Sequence, residues 1–204
     1  MIQIEKINFE LAKLLYEKFH RTNLPPIGHK QSFIIWKQTN EWQKLFDVDF
    51  DDDFNKWFNK YYPNNSFDDD FILTSDEVGD PHLYFNGKIL GILSIGNPVG
   101  RFKDKKTFEI TRICFLPSFN PLKDGFKIPS YFVKKCIEYF GYDYKYNNII
   151  TYIHKFQKGK YLEFAGFRKD KEIIYSKNFK GWANRPNRKK PDLKPKIRFS
   201  LHDN

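Results

Sequence analysis

The groups best placed to do chemistry in this 204-residue chain are one glutamate, one arginine, one tyrosine and two histidines. In TFEITRICF (Thr107 to Phe115), Phe108, Ile110, Ile113 and Phe115 alternate imperfectly with Glu109, Thr111 and Arg112, as in a central strand with functional groups on one face. Successive side chains of a strand point to opposite faces, so Glu109 and Thr111 share a face. Arg112, three positions from Glu109, points away from it unless the strand bulges. A carboxylate in such a place suits proton abstraction, and a planar guanidinium suits a phosphate or carboxylate. Tyr152 interrupts the apolar run IITYI (Ile149 to Ile153) and is either a core tyrosine with a satisfied hydroxyl or a proton donor. His20, at the end of a helical stretch, is a cap or an acid–base group. His29, after Gly28, either fixes a loop through a hydrogen bond or takes part in catalysis.

A second kind of chemistry is anion binding. Pro129 fits the first position of a helix, and the N–H groups that open a helix carry partial positive charge. Here they would come from Lys127, Ile128, Ser130 and Tyr131, helped by the side chains of Lys123 and Lys127; the other reading is a plain core helix. Trp182 with Arg185 and Arg188 could stack on a base and hold phosphates, or belong to a C-terminal strand packed on the sheet. Cys114 and Cys136 form no CxxC pair and read as buried apolar groups. His82, His154 and His202 have no companions at ligand spacing, so no metal site is predicted.

The elements that must position these groups follow from periodicity. Ile2 to Ile4 reads as a short strand, residues 7 to 20 as an amphipathic helix, the Pro25-Pro26 pair as an extended link, and Ser32 to Trp36 as a strand. His82 to Phe85 and Lys88 to Ile95 read as antiparallel strands joined by a two-residue Asn86-Gly87 turn. After the Thr107 to Phe115 strand come a helix from Pro129 to about Tyr139 with Gly141 as its stop, the Ile149 to Ile153 strand, a short helix over Lys160 to Ala165 and a last strand over Lys171 to Ser176. The order is mixed α/β, with a parallel return across the Pro129 helix.

With 22 Phe and 12 Tyr, a chain of this length predicts one globular domain around an aromatic core. No run approaches the ~18 to 20 apolar residues of a membrane span, and the first residues lack a signal-peptide core, so a cytoplasmic protein without membrane contact is expected. The net charge of +10 is uneven. Residues 41 to 80 carry twelve acids against Lys44, Lys56 and Lys60, or −9, leaving +19 on the rest. Such a field attracts polyanions, nucleic acid above all, or simply serves solubility. The acidic segment reads as an insertion with a helix at Asp53 to Tyr61, and the stretch from Gly181 as a basic, proline-broken arm.

Several of these residues fall in strings that resemble a known family. His20-Arg21, Pro25-Pro26, Gly28-His29-Lys30, then GNPVGR (Gly96 to Arg101), FEITRIC (Phe108 to Cys114), Ile150-Thr151-Tyr152, AGFR (Ala165 to Arg168) and WANRPNR (Trp182 to Arg188) stand in the order found in small phage and bacterial proteins of the GNAT N-acetyltransferase superfamily similar to Mom-type DNA modification enzymes. The resemblance implies a GNAT-like mixed, mostly antiparallel sheet with splayed central parallel strands and flanking helices. Residues 1–180 would form one domain with the 41–80 insertion, and 181–204 the basic arm. It implies an acyl-coenzyme A (acetyl-CoA or another) held where the two parallel strands part, and transfer of its acyl group to an amine, most of all a base amine of DNA. His20, His29, Glu109 and Tyr152 would then be catalytic. Cys114, Lys123, Lys127, Ser130 and Tyr131 would hold the cofactor, and Arg21, Arg101, Thr111, Arg112, Trp182, Arg185 and Arg188 the nucleic acid. Two other expectations stand beside it: a GNAT enzyme for a small-molecule or protein amine, and a non-catalytic module in which the acidic segment mimics DNA.

Overall fold

In the computed structural model, residues 1–20, 26, 28–47, 71–75, 81–98, 105–174 and 194–202 are described. They divide into two compact units, residues 1–25, 32–92 and 114–123 in one and 26–31, 93–113 and 124–204 in the other.

In the first unit, β1 (Ile2–Ile7) pairs antiparallel with β2 (His29–Asp47), with Ile4 opposite Ile35. The helix α1 (Phe9–Phe19) starts where the Asn8 side chain accepts the Leu11 N–H at 2.8 Å, one of the donors a helix start leaves unsatisfied. Its buried residues Leu11, Ala12, Leu15 and Tyr16 pack with Ile34, Trp36, Phe85, Ile89, Ile92 and Leu116. The β2 strand runs well beyond Ser32 to Trp36, and past Trp36 it carries Gln38, Asn40 and Glu41 exposed to water.

The expected Asn86-Gly87 hairpin does not form. Instead β4 (Pro81–Gly96) passes straight through the dipeptide, and its partner is β3 (Phe71–Ser75), antiparallel, with Phe71 opposite Phe85. The reason is Trp36. A Cβ on Gly87 would lie 3.0 Å from the Trp36 ring and 3.0 Å from the Lys37 carbonyl, so the glycine, at φ 135°, makes room for the indole within the strand. Within the expected acidic insertion, residues 41–47 and 71–75 are strand, in β2 and β3; its expected helix at 53–61 lies outside the described residues.

Across the sheet β4, whose residues 93–96 belong to the second unit, is followed by β5 (Thr107–Phe115), β6 (Asn148–His154), β8 (Lys196–His202) and β7 (Arg168–Ile173). The short helix α2 (Pro121–Asp124) precedes α3 (Ile128–Asp143), and α4 (Lys160–Phe164) follows β6. The strands β5 and β6 are parallel, joined through α3, whereas β6 with β8 and β7 with β8 are antiparallel. The Phe108 ring meets Phe140 at 5.0 Å and Tyr144 at 6.0 Å, so the end of α3 lies over the start of β5 and the helix runs back against both strands. Gly141 does not stop α3, which continues to Asp143, since one glycine in a helix costs only about 1 kcal/mol and Phe140 stacks on Tyr144 at 4.5 Å across it. The last strand expected begins earlier, at Arg168 rather than Lys171. The end of the expected basic arm is itself a strand, β8, whose buried Ile197 and Phe199 alternate with half-buried Lys196 and Arg198.

The architecture is therefore α/β, a mixed and mostly antiparallel sheet with one parallel pair and flanking helices. Among the described residues no helix is long and apolar enough to cross a membrane.

Candidate active site

The parallel ladder between β5 and β6 has four rungs, Thr107 with Asn148, Phe108 with Ile149, Glu109 with Ile150 and Ile110 with Thr151. Past the last rung β5 continues to Phe115 and β6 to His154 without pairing, so the two strands part. The Thr151 hydroxyl donates to the Ile110 carbonyl at 3.1 Å and closes the fork. On its other edge β6 stays bonded to β8 along its whole length.

The fork's register decides which groups share a face. Residues opposite each other in a ladder point the same way, so Glu109 shares the face of Ile150, and two residues on, Tyr152 shares it too. Thr111 is on the same face, with its hydroxyl 3.4 Å from the Ser94 carbonyl of β4. The opposite face carries Phe108 under α3. Spacings of ~4.8 Å between strands and ~3.3 Å per residue put the Glu109 and Tyr152 backbones roughly 8 Å apart on either side of the opening. Glu109 is buried and Tyr152 half-buried. The Arg112 guanidinium folds back on its own strand, donating to the Thr111 carbonyl at 2.8 Å.

Because α3 runs antiparallel to both strands and is ~24 Å long at 1.5 Å per residue, its start lies at the forked end. Two of the four expected backbone donors are spent there: Ile128 N–H bonds the Gly125 carbonyl at 3.3 Å, and Tyr131 N–H bonds that of Lys127 at 3.0 Å. The Ser130 hydroxyl also donates to the Lys127 carbonyl, at 2.9 Å. The Lys127 and Ser130 N–H groups and the exposed Lys127 side chain are what this helix start offers an anion.

His29 enters from β2 through two glycines. Gly28, at φ 65°, accepts the Asn97 N–H at 2.7 Å, and a Cβ on Gly96 would lie 2.3 Å from the Gly28 carbonyl oxygen. The β4–β5 contacts run antiparallel, Leu90 with Leu116 and Ser94 with Thr111. Two residues on along β4 and two back along β5 bring Gly96 level with Glu109. His29, Gly96 and Glu109 thus form a row across three neighbouring strands. Neither Ser94 nor the pair Gly28 and Gly96 as a single contact was evident as part of this row; the only sequence signal was a glycine at each motif.

Burial lowers the His29 pKa from its ordinary 6.5. The unfolded chain therefore binds a proton that the folded one refuses, and stability falls as pH drops through 6.5 toward the depressed value. In urea titrations between pH 7.5 and 5, His29→Gln is expected to flatten this part of the stability profile; an unchanged slope would assign it to other groups.

The remaining expected residues lie elsewhere. In the first unit, His20 is the C-cap of α1, its N–H bonded to the Tyr16 carbonyl at 2.9 Å and its ring edge-on to Tyr16 at 5.8 Å. There too, the Cys114 thiol donates to the Phe19 carbonyl at 3.4 Å, and burial raises its pKa, which keeps it protonated and unreactive. Lys123, in α2, is exposed. Arg21, Arg101, Trp182, Arg185 and Arg188 lie outside the described residues. No group of three or more His, Cys, Asp or Glu that could hold a metal occurs among the described residues.

The chain matches no protein-family model and no curated protein sequence. Solved structures similar in the course of the chain include an IAA acetyltransferase from Bacillus cereus, at 13% identity, TM-score 0.48 and 99% coverage of both chains. A chain of the NatC complex bound to Gag peptide and CoA is similar at 10% identity and TM-score 0.49, covering 100% of this chain and 99% of that one. A variant of the spermidine N-acetyltransferase SpeG from Vibrio cholerae follows at 9%, 0.46, 98% and 94%. All three TM-scores lie under one half, so the architecture rests on the strand ladders themselves.

Proposed function

We propose that this protein is an acyl-coenzyme A-dependent N-acyltransferase of GNAT type, whose acceptor is an amino group on a nucleic-acid base. The observation that carries the transferase part is the fork itself: a parallel pair that parts after Ile110 and Thr151, with Glu109 and Tyr152 on one face of the opening and a helix start at its end. A thioester fits such a place, because an amide-bearing arm can lie between strand edges that no longer bond each other, while Ser130 N–H and Lys127 meet its phosphates. Bound there, it would supply an activated carbonyl and a thiol leaving group. Glu109 takes the proton from the attacking amine as the N–C bond forms, and the Tyr152 hydroxyl returns one to sulfur as the C–S bond breaks. Thr111 and the row through Gly96 to His29 hold Glu109's strand in place. The nucleic-acid part is supported by charge, +19 outside residues 41–80.

Incubation of the purified protein with acetyl-coenzyme A and DNA, followed by digestion to nucleosides, is expected to yield a mass-shifted nucleoside. Acetyl-coenzyme A at 100 times its Kd should add about 2.7 kcal/mol of stability. A thermal shift without a modified nucleoside would move the acceptor to a small amine; the absence of both would end the transferase reading.

A further inference from the structure

Phe156 lies just beyond the end of β6, on the forked side of the sheet, and is 72% exposed. Its loop is nonetheless tied down. Gln157 N–H bonds the His154 carbonyl at 2.8 Å, and the Gln157 side chain accepts the His154 N–H at 2.9 Å. Lys155 N–H bonds the Pro195 carbonyl at 3.0 Å, and its ammonium pairs with Glu172 at 2.7 Å. One face of the Phe156 ring is stacked on the buried His154 ring, with centroids 5.2 Å apart and planes 7° from parallel. The other face is turned to water. A large ring held flat and open is built for stacking, not for packing or for insertion edge-first into a bilayer.

The neighbours give the sign of the partner. Lys158 on the same loop and Lys196, opposite His154 in β8, make no ion pair among the described residues, whereas Lys155 and Lys160 are matched by Glu172 and Glu163, so the surplus charge beside the ring is that of Lys158 and Lys196. We propose that Phe156 is a base-stacking platform for single-stranded nucleic acid, with Lys158 and Lys196 on its phosphates. This gives the acceptor of the preceding section a docking place, and it rests on that reading only for the class of ligand. A nucleobase carries a flat π-face and an adjoining anion, the two features this surface complements, and aromatic groups interleaved with cations bind single strands irrespective of sequence.

The test is fluorescence anisotropy with a labelled single-stranded oligonucleotide of about twelve nucleotides, over a salt series. Phe156→Ala should weaken binding roughly 5- to 100-fold and Phe156→Trp should restore it. Lys158→Glu with Lys196→Glu should lower the salt slope by roughly 0.7 for each cation removed. The ring being exposed, Phe156→Ala should unfold like the wild type and keep its thermal shift with acetyl-coenzyme A. Equal oligonucleotide affinity in wild type and Phe156→Ala would overturn the proposal. So would an acetyl-coenzyme A shift with no oligonucleotide binding, which leaves the transferase reading intact, or Phe156-dependent binding to phosphatidylserine vesicles in place of the oligonucleotide. Phe156-dependent oligonucleotide binding without any acetyl-coenzyme A shift would uphold the platform and remove the transferase.

Discussion

Glu109→Gln is expected to lower kcat for acyl transfer by roughly 10²- to 10⁴-fold, the range for loss of a positioned general base, while the acetyl-coenzyme A thermal shift stays as in the wild type. The amide keeps the shape and hydrogen-bonding reach of the carboxylate but cannot take a proton at neutral pH. Glu109 is 8% exposed and sits one rung before the fork, so the substitution leaves the opening's walls in place. Tyr152→Phe separates the two ends of the reaction. Its defect should shrink when the thioester carries a more acidic thiol, because a better leaving group needs less help from a proton donor; the Glu109→Gln defect should not. Identical responses of the two variants to leaving-group acidity would show that they do not act on opposite sides of the transfer.

Gly96→Ala is expected to cost about 3 kcal/mol or more, read as a lower midpoint in urea denaturation and a Tm lower by roughly 6 to 12 °C for a chain of this size. The added methyl group would meet the Gly28 carbonyl oxygen at 2.3 Å, the Gly28 carbonyl carbon at 2.7 Å and the His29 nitrogen at 3.1 Å. All three are backbone atoms, and Gly28 is itself anchored by the Asn97 N–H, so no side chain can swing aside. At Gly125 the nearest atom to an added Cβ is 3.9 Å away, which makes Gly125→Ala the comparison in which only backbone strain acts. A Gly96→Ala protein as stable as the wild type would mean that β2 and β4 can separate at this level without cost.

Legibility in the sequence followed the range of the interaction that decides each feature. The β5, α3 and β6 run was readable because Pro129 marks the helix start and the flanking strands are apolar, both local signals. Asn86-Gly87 was misread because the same dipeptide serves a hairpin turn and a strand crowded by a neighbour; the deciding residue, Trp36, lies fifty positions earlier. The strand β8 was hidden by its lysines and nearby prolines, although Ile197 and Phe199 carry the period of two. At the site, the composition named Glu109 and Tyr152 separately. That they share a face depends on a register of four rungs between segments about forty residues apart, which periodicity does not encode. Phe156 went unnoticed since an aromatic in a lysine-rich loop has no period; the sign it left is a bulky ring between Lys155 and Lys158, closed by Gly159.

The unequal bonding of the two fork strands has a mechanical corollary. Seven pairs clamp β6 to β8 from Asn148 to His154, against four that join it to β5. The prong formed by β6 is therefore backed by a neighbour along its whole length, so anything that enters the opening meets one wall that cannot yield without breaking that ladder.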